Sequence, residues 1–139
     1  MTYLIDHPQA YKAVGESVEI PLTYYTNNVS ATISLLQIMS EYDCTRIVYS
    51  SSATVYGTPP TIPIPETTRM MAASPYGKSK VMSETIIDDL CHGKSWIILI
   101  LCYAYPLAQL NPSVGVQYPF VTSSKDMFLI QSRFILNLV

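Results

Sequence analysis

The chain has 139 residues, of which 49% are apolar and only 13% charged, with 8 basic and 10 acidic side chains and a net charge of −2. Its length is that of one domain, and scattered charges of both signs argue against a nucleic-acid partner. Soluble domains average about 25% charged, so a chain this poor in charge reads as the interior part of a larger protein.

From the N-terminus, Thr2 to Ile5 can form a short strand. The opening MTYLIDHPQA has neither a basic start nor a long apolar core, so it does not read as a signal peptide. Pro21 is placed to open a helix running to about Tyr42. Val29, Ile33, Leu36 and Ser40 would follow one face, with Leu35 and Met39 beside them. Arg46 to Tyr49 reads as a short buried strand. A loop with five prolines between Pro59 and Pro75 follows. Ser74 suits the N-cap of the next helix and Pro75 its first position. That helix should run to about Cys91, with Gly93 closing it.

Trp96 to Tyr103 is the next predicted buried strand. No charged residue occurs from Ser95 to Ser124. The apolar core of that stretch, Trp96 to Leu101, is nevertheless far shorter than the ~20 residues of a membrane span. Met127 to Val139 fits a short amphipathic helix, with a strand as the alternative. The order strand, helix, strand, helix, strand predicts an α/β fold with a parallel sheet. In such sheets ligands sit at the carboxyl ends of the strands. Both Ser50–Ser52 and Tyr103 lie at strand ends.

Cys44, Cys91 and Cys102 are odd in number and have no CxxC spacing, so neither a disulfide framework nor a metal site is expected. Reduced thiols in a cytosolic protein are the expectation.

The chemistry concentrates between Ser50 and Lys80. Tyr76 and Lys80 are four residues apart, which on a helix puts both on one face. A free tyrosine has a pKa of about 10. A neighbouring ammonium favours its phenolate and so makes it a usable base. Lys78 lacks this spacing. The run Ser50-Ser51-Ser52 ends a predicted strand upstream, where a hydroxyl can hold a substrate hydroxyl while Tyr76 takes its proton.

The stretches SSSATVYG (Ser50 to Gly57) and SPYGKSK (Ser74 to Lys80) resemble the UDP-glucose 4-epimerases of the extended short-chain dehydrogenase/reductase superfamily. KAVGES (Lys12 to Ser17) and YYTNNV (Tyr24 to Val29) match in the same order, and the resemblance covers about residues 10–108. It implies a Rossmann-type domain, NAD as cofactor and a UDP-hexose as substrate, in galactose metabolism in the cytoplasm. It also implies a possible homodimer, with no membrane or nucleic-acid partner.

By motif, Tyr76 would be the catalytic base and acid, and Lys80 would bind the nicotinamide ribose and lower the tyrosine pKa. Ser52 would hydrogen-bond the substrate 4-hydroxyl. Lys12, Asn27, Ser50 and Tyr103 match positions at or beside the NAD site. Related 4,6-dehydratases place Asp-Glu just after the hydroxyl residue. Ala53 and Thr54 stand there in this chain, which disfavours dehydration. The alternatives are another NAD-dependent nucleotide-sugar epimerase or decarboxylase, and a non-catalytic remnant or interaction module.

Several departures from the family pattern set further expectations. The five glycines, Gly15, Gly57, Gly77, Gly93 and Gly115, form no GxGxxG. The turn that would approach the NAD pyrophosphate, and its βαβ unit, is therefore missing. HPQAY (His7 to Tyr11) and CYAYP (Cys102 to Pro106) replace the family's HFA(G/A) and RYFNP patterns. Residues 1–115 are expected to form a partial NAD-binding domain, with 116–139 an unassigned tail. The chain is expected to be truncated, and weak or inactive by itself.

Overall fold

The computed structural model describes residues 10–61, 64–93, 96–103 and 131–136. The Thr2–Ile5 strand and His7 lie outside them. Helix α1 spans Val14–Glu19 and α2 spans Pro21–Tyr24, with Pro21 at the first helical positions as expected. The chain continues through a π-helical segment, Tyr25–Ser30, into α3, Ala31–Glu41. Strand β1 follows at Arg46–Ser52, a 3₁₀ turn at Ala53–Tyr56, and α4 at Pro75–Gly93. Strands β2, Ile97–Tyr103, and β3, Gln131–Leu136, complete the described elements.

The sheet order is β1-β2-β3. β1 and β2 are parallel, in the register Arg46↔Ile97 to Ser52↔Tyr103. Helix α4 is the crossover between them and packs on both. β3 is antiparallel to β2, pairing Ile97 with Leu136 and Cys102 with Gln131. The parallel β1–β2 pair is the parallel sheet the sequence predicts, and β3 adds an antiparallel strand at its edge. It also settles the ambiguous C-terminal stretch in favour of strand over residues 131–136.

The core lies where α3 and α4 cover the sheet. Leu36, Met39, Ile47, Tyr49, Val55, Ile87, Trp96 and Ile100 are all buried there. Along β1 the side chains of Ile47, Tyr49 and Ser51 are buried in alternation, as the period of two in a strand requires. Helix α3 ends in a reverse turn: Cys44 N–H donates to Met39 O at 2.8 Å and Asp43 N–H to Ser40 O at 3.4 Å. Asp43 takes the left-handed φ of 51° that this cap needs.

The helical run from Pro21 buries a different stripe from the one hydropathy implies. Asn28 and Thr32 are each 2% exposed, whereas Ile33 is 38% exposed. Two polar side chains thus take the inward positions. They can do so because each is hydrogen-bonded there: Thr32 Oγ1 donates to Asn28 O at 2.7 Å, and Asn28 Nδ2 donates to Ser79 Oγ on α4 at 3.1 Å. The wider i→i+5 turn of the π segment aligns residues four apart better than the 3.6-residue α turn does. Tyr24, Asn28 and Thr32 consequently form one buried line.

Candidate functional site

The carboxyl end of β1 and the first turns of α4 build the site together. Ser74 caps α4, its Oγ accepting from Gly77 N–H at 3.1 Å. Gly77 allows the helix to approach the 3₁₀ turn after Ser52, since a Cβ at this position would lie 2.8 Å from Thr54 O. That approach brings Tyr76 and Lys80 to the end of β1. Lys80 is 4% exposed, and its Nζ donates to Ser50 O at 2.8 Å while lying 4.8 Å from the centre of the Tyr49 ring.

Tyr76 is 7% exposed. Its ring meets that of Tyr24 edge-on, with centroids 6.4 Å apart, an arrangement aromatic pairs favour. Tyr24 is itself fixed to the segment around Lys12. Its hydroxyl accepts from Ala13 N–H at 3.1 Å and lies 2.8 Å from Ala13 O and 2.6 Å from Glu16 Oε2. Burial, and then the Glu16 carboxylate, push the Tyr24 hydroxyl pKa upward.

The three serines of β1 separate by direction. Ser51 turns inward and its Oγ donates to Glu84 Oε1 on α4. Ser52 Oγ accepts from Thr54 N–H at 3.3 Å and from Thr54 Oγ1 at 3.0 Å. With two donors on that oxygen, the Ser52 proton is directed elsewhere. Tyr103 ends β2 directly across the ladder from Ser52. Asn27 donates from Nδ2 to Asn28 Oδ1 at 3.1 Å, inside the π segment. Lys12 is exposed, between Tyr11 and Ala13, both of which are tethered.

Sequence reasoning missed Asn28, Tyr24 and Glu84. Asn28 Oδ1 accepts from Tyr11 N–H and its Nδ2 donates to Tyr11 O, each at 3.0 Å, so one side chain pairs with the backbone as a strand would. Hydropathy gives no sign of this. Glu84 had a usable signal, since it continues the 76, 80, 84 spacing on one helix face.

Electrostatics at Lys80 lead to a stability prediction. Burial, opposed by the Glu84 carboxylate and then Cys102, lowers its pKa from 10.5 to about 8. Between these values the unfolded chain binds the extra proton, so stability rises with pH across that window. The lowered value costs about 3 kcal/mol at neutral pH and is relieved towards pH 10. Tyr49 acts in the opposite sense higher up. Burial raises it from 10.0 to about 12, so its contribution is lost as pH rises between those values. Urea midpoints at about pH 7.5 and about pH 9.5 should therefore increase with pH, and the increase should vanish in Lys80→Met. An equal increase in the variant would assign it to another group.

A family profile described as GDP-mannose 4,6 dehydratase matches residues 5–108. The chain belongs to this family. Within it, the similarity runs to epimerases. UDP-glucose 4-epimerase 2 of Arabidopsis thaliana is 46% identical over 102 residues, covering 73% of this chain and 29% of the relative. The Bacillus subtilis UDP-glucose 4-epimerase is 48% identical over 101 residues, covering 72% and 30%. Among solved structures, the Bifidobacterium longum UDP-glucose 4-epimerase in complex with NAD+ and UDP superposes with a TM-score of 0.70 at 44% identity. It covers 72% of this chain and 30% of that one. The chain thus spans less than a third of the length of these relatives. The fold is the corresponding part of their Rossmann-type, doubly wound α/β domain. No helix among the described residues is long and apolar enough to cross a membrane.

Proposed function

We propose that this chain carries the catalytic segment of an NAD-dependent UDP-glucose 4-epimerase, interconverting UDP-glucose and UDP-galactose. The observation carrying this reading is the joint placement of a buried Lys80 on the Ser50 carbonyl and Tyr76 one helical turn before it. The residues present suit the nicotinamide end of NAD. Lys80 is a cation anchored at a strand end, where dinucleotides bind in such folds, and Lys80 and Tyr76 would hold the nicotinamide ribose. Lys12, Asn27, Ser50 and Tyr103 are assigned to the surroundings of the same cofactor.

NAD, when bound, supplies the acceptor and donor of the hydride exchanged at the sugar C4. The protein's part is proton transfer and positioning. Tyr76 takes the proton of the 4-hydroxyl and returns it after the 4-keto sugar has turned its other face. The Lys80 ammonium favours the phenolate that this requires. Ser52, its oxygen already occupied by two donors from Thr54, donates its proton to the sugar 4-oxygen. Ala53 and Thr54 offer no carboxylic acid for eliminating water, which favours epimerisation over dehydration within the family.

Residues 1–115 are assigned to the partial NAD-binding domain and 116–139 to a tail without an assigned role, of which residues 131–136 add β3 to the domain's sheet. Because no glycine-rich pyrophosphate turn occurs in this sequence, the chain alone is assigned weak or no activity. A cytosolic setting fits Cys44, Cys91 and Cys102 as thiols outside any disulfide. Exposed Leu22, Ile38 and Met82 support a homodimer.

A hybrid separates chemistry from cofactor capture. Residues 10–108 are to replace the matching segment of the Bacillus subtilis epimerase. Turnover of UDP-galactose by the hybrid, and little or none by the chain alone, is the expected pair of results. A folded hybrid that binds NAD without turning over would refute the reading.

A further inference from the structure

Glu84 is 3% exposed, on the same face of α4 as Lys80 and one turn further along. A carboxylate so placed is costly unless it is paired and hydrogen-bonded. Ser51 Oγ donates to its Oε1. Lys80, four residues earlier, donates to Ser50 O at 2.8 Å. The two buried charged side chains of α4 therefore grip consecutive residues of β1, one through a carbonyl and the other through a hydroxyl.

We infer that Glu84 is a positioning residue for Lys80: its buried carboxylate, anchored by Ser51, keeps the ammonium charged and held on the Ser50 carbonyl at the mouth of the site. The catalytic meaning of this role rests on the function proposed above; the coupling itself does not. The titratable groups acting on Lys80 come from each element packed against it. They are Glu84 on α4, Tyr49 on β1, whose ring lies 4.8 Å from the ammonium, and Cys102 on β2. Tyr49 is kept protonated by its burial. Glu84 is the larger of the two influences that favour the charged lysine, ahead of Cys102. A carboxylate one turn away on a helix supports an ammonium in this way even at the surface, and the effect grows as water is excluded.

The test reads Lys80 directly in the full chain, by NMR of the lysine side-chain nitrogens, with Lys80→Met to assign the signal. In Glu84→Gln the Lys80 titration should move down by about one to two pH units. In Glu41→Gln, an exposed site on α3, it should stay in place. An unmoved Lys80 in folded Glu84→Gln overturns the inference. Should that variant fail to fold, the unsubstituted chain decides. Its Lys80 signal should carry a second inflection where the Glu84 carboxyl takes up its proton, and a signal flat through that titration overturns the inference. A Lys80 that follows Glu84 in a hybrid unable to bind NAD supports the positioning role while refuting the cofactor reading, so the two fail separately.

Discussion

In the Bacillus subtilis hybrid, Tyr76→Phe is expected to lower turnover by about 10²- to 10⁴-fold, the usual worth of a positioned general acid–base. The substitution removes one hydroxyl and leaves the ring. The edge-on contact with Tyr24, centroids 6.4 Å apart, survives, as does the buried surface of a side chain only 7% exposed. The fold and bound NAD should accordingly be retained. KM for UDP-galactose should change little, because the lost interaction belongs to the transition state rather than to binding. Steady-state kinetics with a spectroscopic check of bound NAD measure both. Turnover within a few-fold of the parent hybrid would remove Tyr76 from the chemistry.

Gly57→Ala is expected to cost the fold about 3 kcal/mol through backbone strain and a direct clash. Gly57 follows the 3₁₀ turn with φ 62° and ψ −123°, a combination that side-chain-bearing residues rarely adopt. A Cβ there would lie 2.2 Å from Met71 O and 3.1 Å from its carbonyl carbon. The obstacle is backbone, so no rotamer change relieves it. Moving Met71 would break its N–H bond to Val55 O, 2.9 Å long, and loosen the turn that carries Ser52 and Thr54. Gly15 in α1 is the matched control. No atom lies within 4 Å of a Cβ built there, and alanine in a helix is favoured over glycine by roughly 0.5–1 kcal/mol. Urea midpoints should thus move in opposite directions for the two variants. A Gly57→Ala chain as stable as the parent would contradict the assigned backbone conformation.

Most of the helices and strands could be read from the sequence because their signals are local. Pro21, the Ser74–Pro75 pair and the β-branched run from Arg46 mark element ends by fixed stereochemistry. Tyr76 and Lys80 were legible for the same reason, as a four-residue spacing on a well-marked helix. The parts that escaped depend on distant partners. Asn28 is buried because Tyr11 and Ser79, 17 and 51 residues away, satisfy its amide, and no local pattern announces that. Ser51 and Ser52 look identical in the sequence. Only the alternation of β1 and the carboxylate of Glu84 turn one inward, while the Thr54 turn engages the other. Strand β3 was ambiguous because its role depends on the edge of β2, to which it pairs.

The π segment at Tyr25–Ser30 makes the winding of this helix a structural constraint in its own right. Upstream of it Tyr24 faces Tyr76; downstream Leu36 and Met39 enter the core. Relaxing these six residues to ordinary α geometry with none removed would add rotation at every step. One end would then swing by about 100° relative to the other. Either the aromatic contact or the core packing would be lost, even though no contacting side chain had changed. A single-residue deletion in these six residues, which removes the residue the wide turn absorbs, should therefore disturb both ends less than a substitution that forces the segment into α geometry.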